Sequence, residues 1–512
     1  MTELPILEAV SLTVDTARSS SYPFPELRIT NRLQALTMRA IQLQNRWLKI
    51  ILLPDLGGRI VKIQSTYDSH EFLMFSPIFA AGGRRGADLQ TGLEVCFDGH
   101  PRLNSLGPTE SDFTEDENGA RAVVYEAAAG EPLAWHLFAT LPPDQACLDL
   151  ELRVYNRSWE TVRARPGLRF PTGSGIGITG DADAEVEFSA HQTETFHFRI
   201  IPTRFCSGRE CKITQMGMLA LGEDISFEPT CELEGKADVR LRTGETLSAP
   251  FAATPDRAFT SALPGPVEEV AIIAANGDVL SRFPALDVTV ATLPGQVLAT
   301  QELIEFPRAA LGERAKFEAL RTLNAIRVGN AVAAESALNQ AMTFNADDPW
   351  LWWLKSRLDS ENDEALPNAH FLSPFEPVLR AQGFLNQNHQ VAEPSPLVAP
   401  LAANPDALID IACQLFELHD YESLSRWVDE CLRHREVSML RYLLADALFE
   451  NSRMDVEAAT NVRKASDSPI NPPYPWREVE FMVLSRLLTR FPGDSRIAEL
   501  LAMMGASRYN PK

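Results

Sequence analysis

RWLKIILLPDLGGRIVKIQ, residues 46–64, is the stretch that decides the fold. Its apolar run Ile50–Leu53 is too short for a helix, and turn-forming residues follow it directly, which predicts a strand. Gly57-Gly58 can turn the backbone at positive φ without steric cost. Arg59–Gln64 then reads as a second strand, so the stretch predicts a hairpin. Because Arg59 directly follows the turn, we expect its side chain to be presented as a binding group.

Short alternating or apolar runs of this kind recur up to about residue 305, and turn residues separate them. The strongest hairpin signal is Asn118-Gly119, which lies between the runs DFTED and RAVVYE. Many strands at short spacing, without intervening helices, are typical of an antiparallel sandwich. We therefore predict a large antiparallel β-sandwich over residues 1–305.

From about residue 306 onward, the apolar residues recur at three- and four-residue spacing, which indicates helices. Pairs of helices separated by Gly or Pro signals resemble tetratricopeptide units. Residues 306–512 are therefore predicted to form an α-helical, tetratricopeptide-like array, and the fold class is β + α multidomain. The Pro-rich stretch 366–400 is predicted to be an irregular loop that wraps the surface.

Three segments carry a resemblance to a known family: LLPDLGGRIVKI (52–63), TGLEVCFDGHP (91–101) and LDLELRVYNRS (148–158). They resemble galactose-mutarotase-like domains of the aldose 1-epimerase superfamily. The similarity is greatest to a bacterial branch that carries tetratricopeptide-like helices behind the sandwich. The resemblance implies a supersandwich that binds or converts a sugar or glycoside on its concave face.

TGLEVCFDGHP is the segment richest in candidate chemistry. In a strand, Leu93 would share one face with the other apolar side chains, while Glu94 and Asp98 would lie on the opposite face. Carboxylates on a half-buried strand need hydrogen-bond partners or cations, and Arg59 and Arg169 are the obvious candidates. The alternative is an acidic face that simply points to solvent.

The remaining candidates are histidines close to aromatic residues. His136 lies beside Trp135 in a predicted strand, and an indole can stack on the C–H face of a sugar while an imidazole transfers a proton. His191 belongs to the segment HQTETFHF. A core histidine that hydrogen-bonds to backbone is the competing interpretation for His136.

In a carbohydrate-active enzyme, these candidates would take the following roles. Glu94 would be the base and His100 or His136 the acid, with Asp98 as an alternative base. The substrate-binding residues would be Arg59, Asp98, Arg169, Trp135 and His191.

Composition limits the possible partners. The net charge is −22 and no Lys/Arg run occurs, which argues against nucleic acid and against an anionic membrane surface. No signal-peptide pattern or membrane-length apolar stretch is present, and seven scattered cysteines suit a reducing cytosol, so we expect a cytoplasmic protein. Cys206 and Cys211 lack a second pair, so no zinc site, other metal or cofactor is predicted.

Three functions remain open from the sequence. The first is a carbohydrate-active enzyme resembling aldose 1-epimerases. The second is a non-catalytic scaffold that binds a mono- or oligosaccharide and whose helices recruit a protein partner. The third is cleavage of glycosidic bonds, which requires two carboxylates at hydrolase separation.

Overall fold

Strands make up the first part of the chain and helices make up the second. The computed structural model describes residues 2–9, 22–75, 79–81, 84–85, 87–89, 91–117, 119–171, 175–181, 185–204, 210–214, 216–222, 224–283, 308–359, 364–386, 394–450, 455–469 and 474–508. The strands of these residues are β1 (Thr2–Ala9), β2 (Leu27–Leu36), β3 (Ile41–Gln44), β4 (Leu48–Leu53), β5 (Arg59–Ser65), β6 (Glu71–Leu73), β7 (Phe79–Ala81), β8 (Ala87–Leu89), β9 (Glu94–Phe97), β10 (His100–Pro101), β11 (Glu110–Asp116), β12 (Gly119–Glu126), β13 (Leu133–Leu141), β14 (Leu148–Asn156), β15 (Val162–Ala164), β16 (Pro166–Arg169), β17 (Ile176–Gly180), β18 (Val186–Phe188), β19 (Thr193–Pro202), β20 (Glu210–Thr214), β21 (Gly217–Leu221), β22 (Asp224–Pro229), β23 (Leu233–Leu241), β24 (Thr246–Ala253), β25 (Phe259–Ala262), β26 (Val267–Ala274) and β27 (Val279–Phe283).

The hairpin predicted from residues 46–64 is confirmed as β4 and β5, which pair antiparallel. The turn is longer than two glycines, because Pro54–Leu56 forms a short 3-10 helix before it. Gly57 and Gly58 both have φ of 67°, the left-handed conformation that glycine adopts most readily. The Asn-Gly signal is confirmed as well, since β11 and β12 pair across it.

One sandwich core lies between two antiparallel sheets. The larger sheet has the strand order β11-β12-β13-β14-β19-β17, and the smaller has the order β3-β4-β5-β6. Alternate residues of β13, among them Trp135 and Leu137, join this core together with Ile50, Ile60 and Leu93. Because side chains alternate along a strand, the intervening residues of β13 lie on the opposite face of the large sheet.

A second β core follows within the region expected to form one sandwich. Strands β20-β21-β22-β25 form one antiparallel sheet and β24-β23-β26-β27 form another. Phe227, Val239, Phe251 and Ile272 pack between them. The predicted boundary at 305–306 lies outside the described residues, which resume at 308.

Helices occupy the rest of the chain. In the described part of it, they are α1 (Arg308–Arg327), α2 (Ala331–Phe344), α3 (Pro349–Leu358), α4 (Ala365–Leu372), α5 (Pro377–Leu385), α6 (Pro405–Glu417), α7 (Tyr421–His434), α8 (Ser438–Glu450), α9 (Asp455–Asp467), α10 (Glu478–Arg490) and α11 (Ser495–Arg508). Their shared core contains Trp353, Leu408, Trp427 and Leu484. No helix among the described residues is both long and apolar enough to cross a bilayer.

The prediction of an irregular loop over 366–400 is wrong for its first half, where α4 and α5 form. The misleading residues are prolines. Pro367 is the third residue of α4 and Pro377 the first residue of α5. In the first turn of a helix the backbone N–H has no partner within the helix, so proline is tolerated there. These prolines therefore mark helix starts.

The helical array packs on the face of the large sheet that points away from the sandwich core. The Tyr155 hydroxyl donates to Asp348 Oδ1 at 2.9 Å, and the Tyr125 hydroxyl donates to Glu376 Oε2 at 3.1 Å. An early segment of the chain also reaches the helices. Tyr22 packs against their core and donates to the carbonyl of Pro475, and the Tyr474 N–H donates to the carbonyl of Pro23 at 3.1 Å.

Candidate functional site

Three of the residues proposed from the sequence come together as one buried ion cluster. Glu94 on β9 pairs in register with Arg169 on β16, and Arg169 Nε donates to Glu94 Oε1 at 2.7 Å. Arg59 Nη2 approaches Glu94 Oε2 at 2.7 Å. Arg169 also holds Asp88 with two hydrogen bonds of 2.7 and 2.8 Å. The expected pairing of Glu94 with arginines is therefore what the structure contains.

Most of this ion cluster is shielded from solvent. The side chains of Arg59 and Glu94 are 1% and 0% exposed, and Arg59 also donates to the carbonyls of Leu89 and Thr91. Arg169 is the member that reaches solvent, with 29% of its side chain exposed. Burial lowers the pKa of Arg59. Burial raises the pKa of Asp88, but Arg169 outweighs it and leaves that pKa below its ordinary value.

Asp98 and His100 lie at the tip of the β9–β10 hairpin. Asp98 and Gly99, with φ of 53° and 73°, are the two central residues of the turn, and both are exposed. Asp98 Oδ1 accepts from the backbone N–H of Arg165 at 3.0 Å, so this side chain fixes the turn. His100 is exposed beside it. Asp-Gly between strands is a hairpin signal that the sequence interpretation did not use.

Trp135 and His136 are both buried, on opposite faces of β13. Trp135 Nε1 donates to Glu126 Oε2 at 3.2 Å, inside the sandwich. The His136 ring packs on Tyr125 at 4.6 Å, and His136 Nε2 has no hydrogen-bond partner among the described residues. Burial lowers the pKa of His136 to about 3, so the ring is neutral at neutral pH.

His191 lies at the contact between the sheet and the helices. Its Nδ1 is 2.8 Å from the Tyr155 hydroxyl, and its ring packs between Trp159 and Trp350 at 4.3 and 5.4 Å. Burial lowers the pKa of His191 to about 3, and burial raises the pKa of neighbouring Asp348 to about 7. These contacts make His191 part of the packing between the large sheet and the helical array.

A cavity of about 490 Å³ opens between the large sheet and the helical array, and we call it the junction cavity. This volume is within the range of small-molecule sites. None of the eight residues proposed from the sequence is among its lining residues. The aromatic lining residues of the cavity are Phe24, Tyr125 and Phe375. Its polar and charged lining residues are Arg39, Asp55, Asn104, Thr109, Glu110, Glu126, Arg157, Arg380, Asn404, Asp406 and Asp410.

Ion pairs hold the polar wall of the junction cavity in place. Glu126 accepts from Arg102 and from Asn104 Nδ2, the latter at 2.9 Å. Burial nevertheless raises the pKa of Glu126. Arg157, which follows β14, donates to Asp410 on α6 and so joins the two units across the cavity. Burial raises the pKa of Asp410, but the charge of Arg157 outweighs it and keeps that pKa below its ordinary value.

Helix α6 carries a signal for this site that the sequence interpretation missed. Asp406 and Asp410 are four residues apart in PDALIDIACQLFE and therefore lie on one face of a mostly apolar helix. Both are buried. Arg477, at the start of α10, donates to Asp406 Oδ1 at 2.8 Å and to Asp410 Oδ1 at 3.2 Å. Two acids on the buried face of a helix require such partners.

Within the described residues, no three His, Cys, Asp or Glu side chains are grouped as a metal site would require. Cys96, Cys147, Cys231, Cys413 and Cys431 are free thiols. Cys206 and the side chain of Cys211 lie outside the described residues, so the expectation of free thiols at those two positions remains a prediction.

No sequence profile of a known protein family matches the chain. Among solved structures, the chain is similar to a TPR-domain containing protein from Parabacteroides distasonis, with 12% identity, 96% of this chain and 94% of that chain covered, and a TM-score of 0.30. It is also similar to galactose mutarotase-like proteins from Lactobacillus casei and Clostridium acetobutylicum. The identities are 9% and 11%, the alignments cover 47% and 44% of this chain and 77% and 95% of those chains, and the TM-scores are 0.19 and 0.22. Scores this low place no functional residue.

Proposed function

We propose that the protein binds a carbohydrate, a mono- or oligosaccharide, in the junction cavity. The observation that carries this proposal is the chemistry of the wall. Planar polar groups such as Asn104 and Asp406 lie beside the rings of Tyr125 and Phe375 in a space of about 490 Å³. Carboxylates and amides accept hydrogen bonds from sugar hydroxyls, and aromatic rings pack on the C–H faces of a pyranose.

The resemblance of residues 52–63 and 91–101 to the aldose 1-epimerase superfamily points to the same ligand class, although to a different face of the sandwich. The proposal therefore keeps the expected carbohydrate and moves its site to the contact between the large sheet and the helical array.

Binding without turnover fits the candidate acids and bases better than catalysis does. Mutarotation needs one group that takes a proton and another that gives one near neutral pH. His136 and His191 are neutral there and have no imidazolium proton to give, because burial lowers their pKa values to about 3. Glu94 is paired with two arginines and closed to solvent. His136, His191 and Glu94 are therefore better suited to a structural role than to proton transfer.

Filling the cavity provides the test. Ala403 is exposed and lines the cavity, so Ala403→Trp places an indole in the cavity from a position that tolerates bulk. Ala331→Trp is the matched control, because Ala331 is exposed at the start of α2 and is not a lining residue. Isothermal titration with glucose, galactose, mannose, xylose, maltose and cellobiose should detect binding by the wild type and by Ala331→Trp, and its loss in Ala403→Trp.

Two results would contradict the proposal. Absence of binding across the sugar panel in the wild type would rule out a carbohydrate of these classes. Binding that survives Ala403→Trp unchanged would place the site elsewhere. NMR exchange spectroscopy of the bound anomers adds a further check, since accelerated exchange would show turnover and revive the epimerase hypothesis.

A further inference from the structure

Charge is the feature of the junction cavity that restricts its ligand. Its described lining residues include five carboxylates and three arginines, and Arg102 and Arg477, which are not lining residues, pair with Glu126 and Asp406, so each carboxylate has its own cation. Each of the three arginines is already engaged. Arg39 Nε lies 2.7 Å from Asp55 Oδ1, Arg157 donates to Asp410, and Arg380 Nη1 lies 2.9 Å from Glu110 Oε2. An anionic ligand would therefore have to break an ion pair to reach a cation of this wall.

The Glu110–Arg380 pair differs from the Arg39–Asp55 pair in position and from the Arg157–Asp410 pair in access. Glu110 begins β11 of the large sheet and Arg380 lies in α5, so the pair bridges the two sides of the cavity. Its side chains are 30% and 22% exposed, so both can contact a ligand. Arg157 is more deeply placed, at 12% exposure, and Asp55 and Arg39 come from the same side.

We propose that the Glu110–Arg380 ion pair acts as a charge filter, so that the cavity accepts uncharged sugars and excludes sugars carrying a carboxylate. This inference rests on the proposed carbohydrate binding. Glu110 is the specificity-determining residue, because its carboxylate neutralises the accessible guanidinium that would otherwise hold an anion. A guanidinium and a carboxylate form charge-assisted, often two-pronged hydrogen bonds, so a released Arg380 is a ready site for a uronate.

The test compares each hexose with its uronate by isothermal titration: glucose with glucuronate, galactose with galacturonate and mannose with mannuronate. Wild-type protein should bind the hexose about tenfold more tightly than the uronate, or more. A tenfold difference in affinity corresponds to about 1.4 kcal/mol, which is close to the contribution of one hydrogen bond to a charged group. Glu110→Gln keeps the size of the side chain and releases Arg380. It should raise the affinity for the uronate, relative to that for the hexose, by about tenfold.

Two further variants separate the filter from a general change in charge. Glu187→Gln removes the same charge from an exposed pair with Arg163 on strands β18 and β15, away from the cavity, and should leave the uronate affinity as in the wild type. Glu110→Gln combined with Arg380→Gln removes the released cation as well and should abolish the gain.

The results distinguish this inference from the function on which it rests. A wild type that binds neither member of any pair contradicts carbohydrate binding itself. A wild type that binds the uronate as tightly as its hexose, or a Glu110→Gln protein that gains no uronate affinity, contradicts the charge filter and leaves the function standing. A gain of equal size in Glu187→Gln would also overturn the filter, because the effect would then come from net charge.

Discussion

Glu94 illustrates how burial changes the meaning of a candidate catalytic residue. Strand alternation places it correctly opposite Leu93, and its partners Arg59 and Arg169 can be anticipated because a buried carboxylate requires cations. Its access to a ligand cannot be anticipated, because the closure of Arg59 depends on the carbonyls of Leu89 and Thr91. Those contacts arise from tertiary packing and leave no periodic signal in the sequence.

Glu94→Gln should therefore destabilise the fold. The change leaves the guanidinium of Arg59 buried without its carboxylate, and breaking a buried ion pair costs about 3–5 kcal/mol. Urea unfolding followed by circular dichroism measures this loss. Glu187→Gln, which breaks the exposed pair with Arg163, is the control and should change the free energy of unfolding very little. If Glu94→Gln is as stable as the control, Arg59 does not depend on that carboxylate.

The residues of the junction cavity were missed for a different reason. Glu126, Arg157 and Asp410 come from separate elements more than 250 residues apart at the extremes, so their meeting depends on how the helices dock. Asp406 and Asp410 alone gave a local signal, as two acids on one face of an apolar helix. That signal predicts buried partners, but it does not say what those partners are.

At the scale of single elements, glycines predicted turns better than prolines predicted loops. The glycine pair after β4 and the Asn-Gly before β12 identify their hairpins because few residues adopt positive φ. Prolines were less reliable, since the Pro-rich stretch 366–400 was predicted to be an irregular loop, whereas Pro367 and Pro377 lie in the first turns of helices α4 and α5. A proline excludes the interior of a helix but not its first turn, so its position alone cannot separate the two cases.

Two glycines of similar backbone conformation predict different costs of substitution. Gly57 and Gly99 have φ of 67° and 73°, so alanine is strained at both. A Cβ on Gly57 would lie 2.2 Å from the carbonyl oxygen of Ser105, whereas a Cβ on Gly99 would meet nothing within 4 Å. Gly99→Ala should cost about 1 kcal/mol and Gly57→Ala about 1–3 kcal/mol more, because the backbone must also shift.

Denaturant unfolding of the wild type and of both glycine variants, fitted with a shared m-value, gives the loss of stability in each variant from its midpoint. Equal losses in stability would mean that the turn at Gly57 relaxes freely, and that Ser105 does not restrain it.

At the scale of the whole molecule, buried polar contacts join the large sheet to the helical array. Arg157 donates to Asp410 of α6, and the hydroxyls of Tyr125 and Tyr155 donate to Glu376 and Asp348. The sequence predicted both parts of the chain but not how they dock. Such docking depends on single polar pairs, which composition and periodicity do not encode.

Arg157→Met should loosen this docking. Methionine keeps much of the side-chain length but removes the cation, which leaves Asp410 with Arg477 and leaves Glu376 with the Tyr125 hydroxyl. Loss of one partner from a buried charge pair costs about 3–5 kcal/mol. In scanning calorimetry, we expect the variant to show a transition at lower temperature. Circular dichroism should show loss of helical ellipticity over the same temperature range.

Arg163→Met is the matched control, because it removes an arginine from an exposed ion pair within the β part. It should leave the calorimetric trace nearly as in the wild type. An Arg157→Met trace that matches this control would show that docking does not depend on the buried pair.

The contact of Tyr22 and Pro23 with the far end of the helical array sets an order of events during synthesis. Tyr22 and Pro475 are 453 residues apart in the chain. At a translation rate of about 5–20 residues per second, roughly 20–90 s pass between the synthesis of one and the other. During that time the contacts of Tyr22 and Pro23 with residues 474 and 475 are missing, although Asp348 and Glu376, which bind the large sheet, are made earlier. The early segment must therefore be held by its contacts within the β part, such as the hydrogen bond from Leu27 N–H to the carbonyl of Arg85, until residues 474 and 475 emerge.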